Sequence, residues 1–523
     1  MTDQDLLAAL ESAAGKGSVL TDMEARRLAA VDLHVTGALP AAVVRPQDRD
    51  TLAAAVAAAT SRGYAVLPRG GGLSYTGGYA PPTDRSVTFD LSALDRIIHI
   101  SEQDMVMTVE AGVTWRQIAA ALKPRGLRLP FFGTFSGAGA TVGGGLSHGA
   151  LFFGSARYGS AAEMVLGLEV VLADGRILRT GQGALAVGAK PFLRSFGPDL
   201  TGLFTHDGGA FGIKTAASLR LIEAPRHEDY LSFAFADLAH AADALSAIAR
   251  ADLAEEIYVL DPVSTGAIAA DGGEKLRTAL SVARRAGGPL RAASALLSLA
   301  RGGTQFIPPG HYSLHMTAAG RCAAAVRHDL RRAARIAADL GGRPVAPTIP
   351  RVARATLFQD LNAVLGADGS RWAALNAKVA HSDARDLIAA FDAMIAPYLS
   401  EMAAHGVWLT RLASALSNHA FSFEPVFHWK DSWQPLHRRA PEPAFLQKMT
   451  EPEANPAARK LVDQLRLETV QLFRKLGAAS NQIGRTYPYL ESLSPVPAEL
   501  LKGIKAILDP GRLMNPGVIG LGR

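Results

Sequence analysis

Three glycine-rich tracts, separated by segments with strand and helix character, constrain this chain more than any other feature. The first, LPRGGGLSYTGGY (67–79), packs five glycines around Arg69 and sets Tyr75 among them. The second is GTFSGAGATVGGGLSHGALFFGSARYGS (133–160), and the third is LFTHDGGAFGIKTAASLRL (203–221). Glycine loses more conformational freedom on folding than any other residue, so such clusters mark tight turns or close approach of the main chain to a ligand. A single cluster would fit an ordinary surface loop equally well. Three in one domain fit a long, extended ligand crossed by several backbones.

The segments between the tracts alternate helix and strand signals. RPQDRDTLAAAVAAATSRG (45–63) has Asp48 or Asp50 as a helix N-cap, an alanine-rich apolar face and Gly63 as a stop. A short strand, YAVLP, leads from it into the first tract. SVTFDLS, RIIHIS and MVMTVEAG then read as short strands, and TWRQIAAALKPRG returns to helix. In EMVLGLEVVLADGRILRTGQGAL (163–185), Asp174-Gly175 joins two strand-like runs as a hairpin. Around Glu223 to His227 the texture changes. Strand and alanine-rich helix units follow at 229–260, 311–342 and 373–406, which predicts an antiparallel sheet covered by helices on one face. LLKGIKAILDPGRLMNPGVIG (500–520) closes the chain with a short helix and a proline-glycine tail.

Size and charge exclude several classes. At 523 residues the chain exceeds one ordinary core, so two domains are expected. The single cysteine, Cys322, excludes an intramolecular disulfide and a thiolate metal cluster. That suits a reducing compartment, and a cytoplasmic location is expected. The first residues are acidic, with no basic stretch leading into an apolar run, so no secretory signal is expected. No run approaches the roughly 20 apolar residues of a membrane span, and AASALLSLA (292–300) is much shorter. The net charge is +6, but the basic residues are dispersed and no nucleic-acid motif accompanies them, so no nucleic-acid partner is expected. Residues 273–302 are basic with apolar spacing; they read as solvated helices over a core, with weak contact to an anionic membrane surface as the alternative.

Four motifs in order carry a resemblance: PRGGGLSYTGG (68–78), TVGGGLSHGALFFGSARYG (141–159), GLFTHDGGAFGIKTAASLRL (202–221) and ILDPGRLMNPG (507–517). Together they resemble the flavoproteins of the vanillyl-alcohol oxidase and p-cresol methylhydroxylase superfamily, over about residues 38–225 and 415–523. The resemblance implies an α+β chain: a PCMH-type FAD-binding domain at 1–224 with its core at about 38–224, an antiparallel-sheet cap (substrate) domain covered by helices at 225–485, and a C-terminal segment, 486–523, returning to the FAD domain. It implies FAD as cofactor. Arg69, Gly70, Gly71, Gly72, Leu73 and Ser74 fall in the loop that holds the pyrophosphate, where backbone N–H groups freed by absent side chains converge on a diphosphate. Gly143, Gly144, His148 and Gly212 match further FAD neighbours, and Asn515 sits in the C-terminal signature. None of the tracts places G-x-G-x-x-G between a first strand and a helix, which argues against a nicotinamide cofactor.

Relatives often tether FAD covalently, but Leu73 stands where the family's loop histidine would be. Noncovalent FAD is therefore expected, with His419 as the exception, because it falls near a cap position that carries a histidyl link in the family.

The resemblance extends to substrate chemistry. Tyr75 aligns with a tyrosine that helps bind the phenolic oxygen in phenol-oxidising relatives, and NQIGRTYPYL (481–490) resembles the segment whose tyrosine-arginine pair faces the same oxygen. Arg485 matches the arginine; Gly484 occupies the tyrosine's place, with Tyr487 as a substitute two residues beyond Arg485. A fixed guanidinium would stabilise a phenolate or a carboxylate alike. Without the resemblance, Tyr75 reads equally as a packed aromatic and Arg485 as a surface charge or interface ion pair. His311, His315, His419 and His428 lie in strand-like cap segments, where one of them could serve as a base. His311 and His315 share a strand face but have no third ligand, so no metal is expected, and the two-histidine metal motif of the 2-hydroxy-acid branch has no match.

These features predict hydride transfer from a substrate carbon to flavin N5, with oxygen or an electron carrier as acceptor. The leading small-molecule substrate is a para-substituted phenol or aromatic alcohol. The alternatives are a D-2-hydroxy acid, supported by SFGPDLTGLF and NPG, a non-redox FAD-dependent transferase, and a flavin-binding protein without turnover. A homo-oligomer is compatible with all of them.

Overall fold

The computed structural model describes residues 3–265, 307–358, 361–366, 368–439 and 443–522. The basic stretch 273–302 lies outside the described residues. Strands from residues 19–223 build three sheets. In the first, Ala65–Arg69 and Ala42–Val44 flank Ser86–Asp90 in parallel, and Val19–Leu20 pairs antiparallel at the edge. The helix Arg49–Thr60 packs on it, capped by Asp48, whose carboxylate accepts from the Thr51 N–H while the Thr51 hydroxyl answers the Asp48 N–H. The second is antiparallel in the order Ile97–Ser101, Val106–Glu110, Ile213–Arg220, Val165–Val171, Ile177–Arg179. Its last two strands form the hairpin expected around Asp174-Gly175, with Gly175 at φ 82°.

Residues 227–430 supply a single larger antiparallel sheet. Its side chains alternate with the period of two that a half-buried sheet requires. Along Ala420–Lys430, Phe421, Phe423, Phe427 and Trp429 are buried in the main core with helices Leu238–Arg250, Ala323–Asp339 and Ala384–Ile395. The intervening Ser422, Glu424 and His428 point to the other face. Neighbouring strands repeat the rule: Leu314, Met316, Ile257 and Val259 belong to the core, whereas Ser313, His315 and Tyr258 share the face that looks toward the glycine tracts. The helical run His381–Ala404 has the length and apolarity of a membrane span, unlike anything the sequence pattern suggested. It is broken into several helices, and its Phe391 ring meets Phe423 of the cap sheet at 5.3 Å, so its apolar side covers that sheet.

A buried charge network joins the two halves. Arg354 is 2% exposed and binds Glu255 and Glu256, while Arg128 from the glycine-tract half donates to Glu255 at 2.8 Å. The chain end also returns: Met514 bridges Val66 in parallel, and the Asn515 N–H donates to the Val66 carbonyl.

Candidate active site

The three glycine tracts meet in one cleft of about 930 Å³. Gly70, Gly71, Gly72, Leu73 and Ser74 enter from the loop after Ala65–Arg69, Gly143, Gly144 and His148 from the short helix Val142–His148, and Gly212 and Lys214 from the third tract. Close approach explains the glycines. A side chain on Gly71 would run into the Gly139 carbonyl, one on Gly143 into Ala111 at 2.8 Å, and Gly72 holds φ 71°.

His148 is buried, and burial holds its pKa down to about 4, with Lys214 and His206 adding to the effect. It is therefore neutral, and its Nδ1 has no partner among the described residues; the Trp115 Nε1 on the same wall has none there either. Lys214 pairs with Asp207 at 2.6 Å, both side chains buried. A wall of exposed main chain with unpartnered buried nitrogens fits a long polar group such as FAD better than an apolar ligand.

A second cavity, about 1390 Å³, adjoins the first, and Leu73, Thr134, Ser136 and Gln482 line both. Its walls are aromatic. The Tyr75 ring meets Trp372 edge-on at 4.8 Å, and Phe135 lies 4.1 Å from Phe152. Glu424 and Ser422 reach it from the cap sheet, with Asn481 beside them. The Tyr75 hydroxyl is hydrogen-bonded to the Gln482 side chain, and burial, then Glu424 and Tyr487, raise its pKa well above the ordinary value. Tyr75 is thus a protonated phenol at the cavity wall.

Several residues expected at the site stand elsewhere. Arg485 does not line this cavity. Its guanidinium donates to the carbonyls of Gly77, Ala80 and Pro516 and to Asn515 Oδ1, which orients it into the scaffold beneath the loop. Gly484 turns the chain at φ 54°, where a β-carbon would run into the Thr76 hydroxyl and carbonyl, leaving no room for the family's tyrosine. Tyr487 is buried nearby, but its hydroxyl accepts from the Asn376 N–H at 2.7 Å. His419 lies exposed in the hairpin turn after Leu416 and lines neither cavity. His428 stacks on Trp408 and bonds Thr410 Oγ1 at 2.8 Å, again off the cavity wall. His315 is buried between Ser232 and Ser313, which satisfy both ring nitrogens, and His311 sits just before its strand. Arg69 lies beneath the loop with its guanidinium 5.5 Å from the Tyr79 ring, and Asn515 clamps carbonyls instead of lining the cleft.

Two residues at the site escaped the sequence reading. Arg466 donates to the Tyr75 carbonyl at 3.3 Å from the helix Pro456–Lys475, and its Nη1 is buried without a partner. Its signal was an arginine in the buried register of Val462, Leu465, Thr469 and Phe473. Glu424 is the second; its signal was a carboxylate at the period-two position between Phe423 and Phe427.

Comparison with known proteins bears on this geometry. Residues 40–181 match the FAD binding domain family, and residues 483–519 match the C-terminal domain of FAD linked oxidases. The fold matches p-cresol methylhydroxylase with TM-score 0.74 at 19% identity, covering 99% of this chain and 96% of that one. Residues 40–181 are an FAD binding domain, and the chain has the fold of p-cresol methylhydroxylase. Other solved structures with this fold include an alkyldihydroxyacetonephosphate synthase, at TM-score 0.68 and 16% identity over 99% of this chain and 85% of that one. In sequence, the chain is 30% identical over 215 residues to glycolate oxidase subunit GlcD of Bacillus subtilis, covering 41% of this chain and 44% of that protein. It is 33% identical over 186 residues to a probable mitochondrial D-lactate dehydrogenase of Danio rerio, covering 36% of each. The chain spans less than half the length of these two curated relatives. FAD is the cofactor of the matched domain, which supplies most of the glycine cleft, and the second cavity adjoins that cleft.

Proposed function

We propose that the protein is an FAD-dependent oxidoreductase that takes hydride from an uncharged aromatic substrate, a para-substituted phenol or an aromatic alcohol. One observation carries this reading. Among the described residues the second cavity is walled by Tyr75, Trp372, Phe135 and Phe152, with Glu424 as its ionisable carboxyl and no Lys, Arg or His. A neutral ring gains apolar contact and edge-to-face packing there. A 2-hydroxy acid would place its carboxylate near Glu424 with no cation among the residues lining the cavity, a like-charge arrangement that disfavours binding. The names of the relatives favour that second reading; the chemistry of the cavity favours the first.

Bound FAD supplies a two-electron acceptor. The protein's own groups bind and orient: the Tyr75 hydroxyl, held by Gln482, offers a donor to a substrate oxygen, and the aromatic walls exclude water. Reoxidation by oxygen or an electron carrier, and a cytoplasmic location, belong to the same reading.

The test is the visible spectrum of the purified protein under anaerobic conditions, with a para-alkyl phenol, an aromatic alcohol or D-lactate added separately. Bleaching of the flavin band by an aromatic compound alone is expected. Bleaching by D-lactate alone would replace this reading with the hydroxy-acid one.

A further inference from the structure

We infer that Glu424 is the proton acceptor of the second cavity, with Lys378 on the adjoining strand as the positioning residue that sets its charge. The inference rests on the aromatic-alcohol reading above and assigns a role within it.

Three observations converge on Glu424. It sits at a period-two position of the strand Ala420–Lys430 whose alternate residues face the glycine-tract half, so the fold directs it into the cavity. Its carboxyl makes no hydrogen bond or ion pair with any described residue, whereas Glu256, on the same sheet, is paired to Arg354 at 2.9 Å. An acceptor-only group left free beside a wall of apolar rings is costly unless a ligand uses it. Finally, Tyr75 and Gln482 line the same cavity, so a substrate hydroxyl there has both a phenol donor and a carboxylate acceptor within the one compartment.

Lys378 completes the arrangement. It pairs opposite Ser422, two residues from Glu424 on the same strand face, and its ammonium donates to Asn376 Oδ1 at 3.1 Å and to Asn481 Oδ1. Asn481 in turn lines the cavity and donates to the Gly149 carbonyl at 2.8 Å. Burial pushes Glu424 up to about 7, and Lys378, through charge, opposes that rise; Lys378 is itself lowered to about 7 by burial. Tyr75 and Tyr487 are the other titratable groups that feel Glu424, and both are held as neutral phenols. A base poised near neutrality suits proton removal from an alcohol.

In the step assigned, the substrate O–H bond breaks and its proton passes to a Glu424 carboxylate oxygen. The C–H electron pair leaves with hydrogen to oxidised flavin, which is reduced, and the carbon-oxygen double bond forms.

The experiment uses the holoprotein and Glu424→Gln, with Lys378→Met as the second variant. Benzoate and phenol, neither of which has a benzylic C–H to lose, are titrated from acidic to alkaline pH and followed by the perturbation of the flavin band. In the natural sequence, benzoate binding weakens as pH rises through neutrality, because Glu424 becomes an anion beside it. Glu424→Gln abolishes that dependence and tightens benzoate about tenfold at alkaline pH. Lys378→Met moves the inflection to higher pH. Anaerobic bleaching by an aromatic alcohol falls about 10²- to 10⁴-fold in Glu424→Gln at unchanged FAD content. Unchanged bleaching in Glu424→Gln, or a benzoate profile that keeps its inflection there, overturns the assignment. If benzoate binding follows Glu424 but no aromatic alcohol bleaches the natural protein, the acceptor assignment stands and the substrate class falls.

Discussion

Arg485 Nη2 donates to Asn515 Oδ1 at 2.6 Å, and the same asparagine amide donates to the carbonyls of Gly78 and Gly208 at 2.7 and 2.6 Å. Arg485 adds donations to Gly77 and Ala80. The pair thus ties the chain end to the first and third glycine tracts at once.

Arg485→Ala is expected to lower thermal stability and FAD content together, because it leaves several loop and tail carbonyls without their charged donor. The cost is about 3 kcal/mol, in the range for multiple charge-assisted bonds in a partly buried site. Thermal unfolding and the flavin-to-protein absorbance ratio measure both effects. Lost turnover at full FAD content and unchanged stability would return Arg485 to the substrate.

Gly71→Val is expected to give folded apoprotein. Its β-branched side chain meets the Gly139 carbonyl and forces the loop out of the cleft it lines. Circular dichroism should match the natural protein while the flavin band is absent; normal FAD occupancy would remove this loop from the cofactor site.

Tyr75→Phe keeps the ring packed on Trp372 but deletes the hydroxyl held by Gln482. Phenol should bind about tenfold more weakly, the range for one lost hydrogen bond, with FAD content preserved. Equal phenol affinity in the two proteins would make Tyr75 a packing residue only.

The interface network gives a stability profile with two opposing limbs. Burial would raise Glu255, but Arg128 and Arg354 beside it hold its pKa down to about 2. Its folded value lies below the ordinary 4.5, so its contribution is present above 4.5 and lost as pH falls through about 2. Burial raises Glu256 to about 7, with Arg354 opposing. Its contribution is therefore present below 4.5 and lost as pH rises through about 7. Urea unfolding should show the network contributing most near pH 4.5, where both limbs are favourable. Glu256→Gln should flatten the neutral limb and leave the acid limb; a neutral limb that persists would assign it to other groups.

Local chemistry made much of the fold legible. Asp48 and Thr51, or Thr114 and Gln117, announce helix starts because both partners lie within one turn. The glycine tracts announce the cleft because main-chain approach to a ligand is written in composition. The alternation of FSFEPVFHW announces the cap sheet, and with it Glu424, once both strand faces are considered. The direction of the Arg485 side chain is not legible from its neighbours in sequence, which match a motif, because it is decided by Gly484 at φ 54° and by a tail 30 residues later. Arg466 was missed because its partner, the Tyr75 carbonyl, lies 391 residues away, a distance over which no pattern in one sequence speaks.

The bridge from Met514 to Val66 and the clamp at Asn515 also order events in time. During synthesis the glycine tracts emerge long before the residues that fasten them. The cleft therefore gains its clasp only after residue 515 has left the ribosome, and stable flavin capture reports that it has been made: a product truncated before residue 515 keeps its tracts but not the contacts that hold them together.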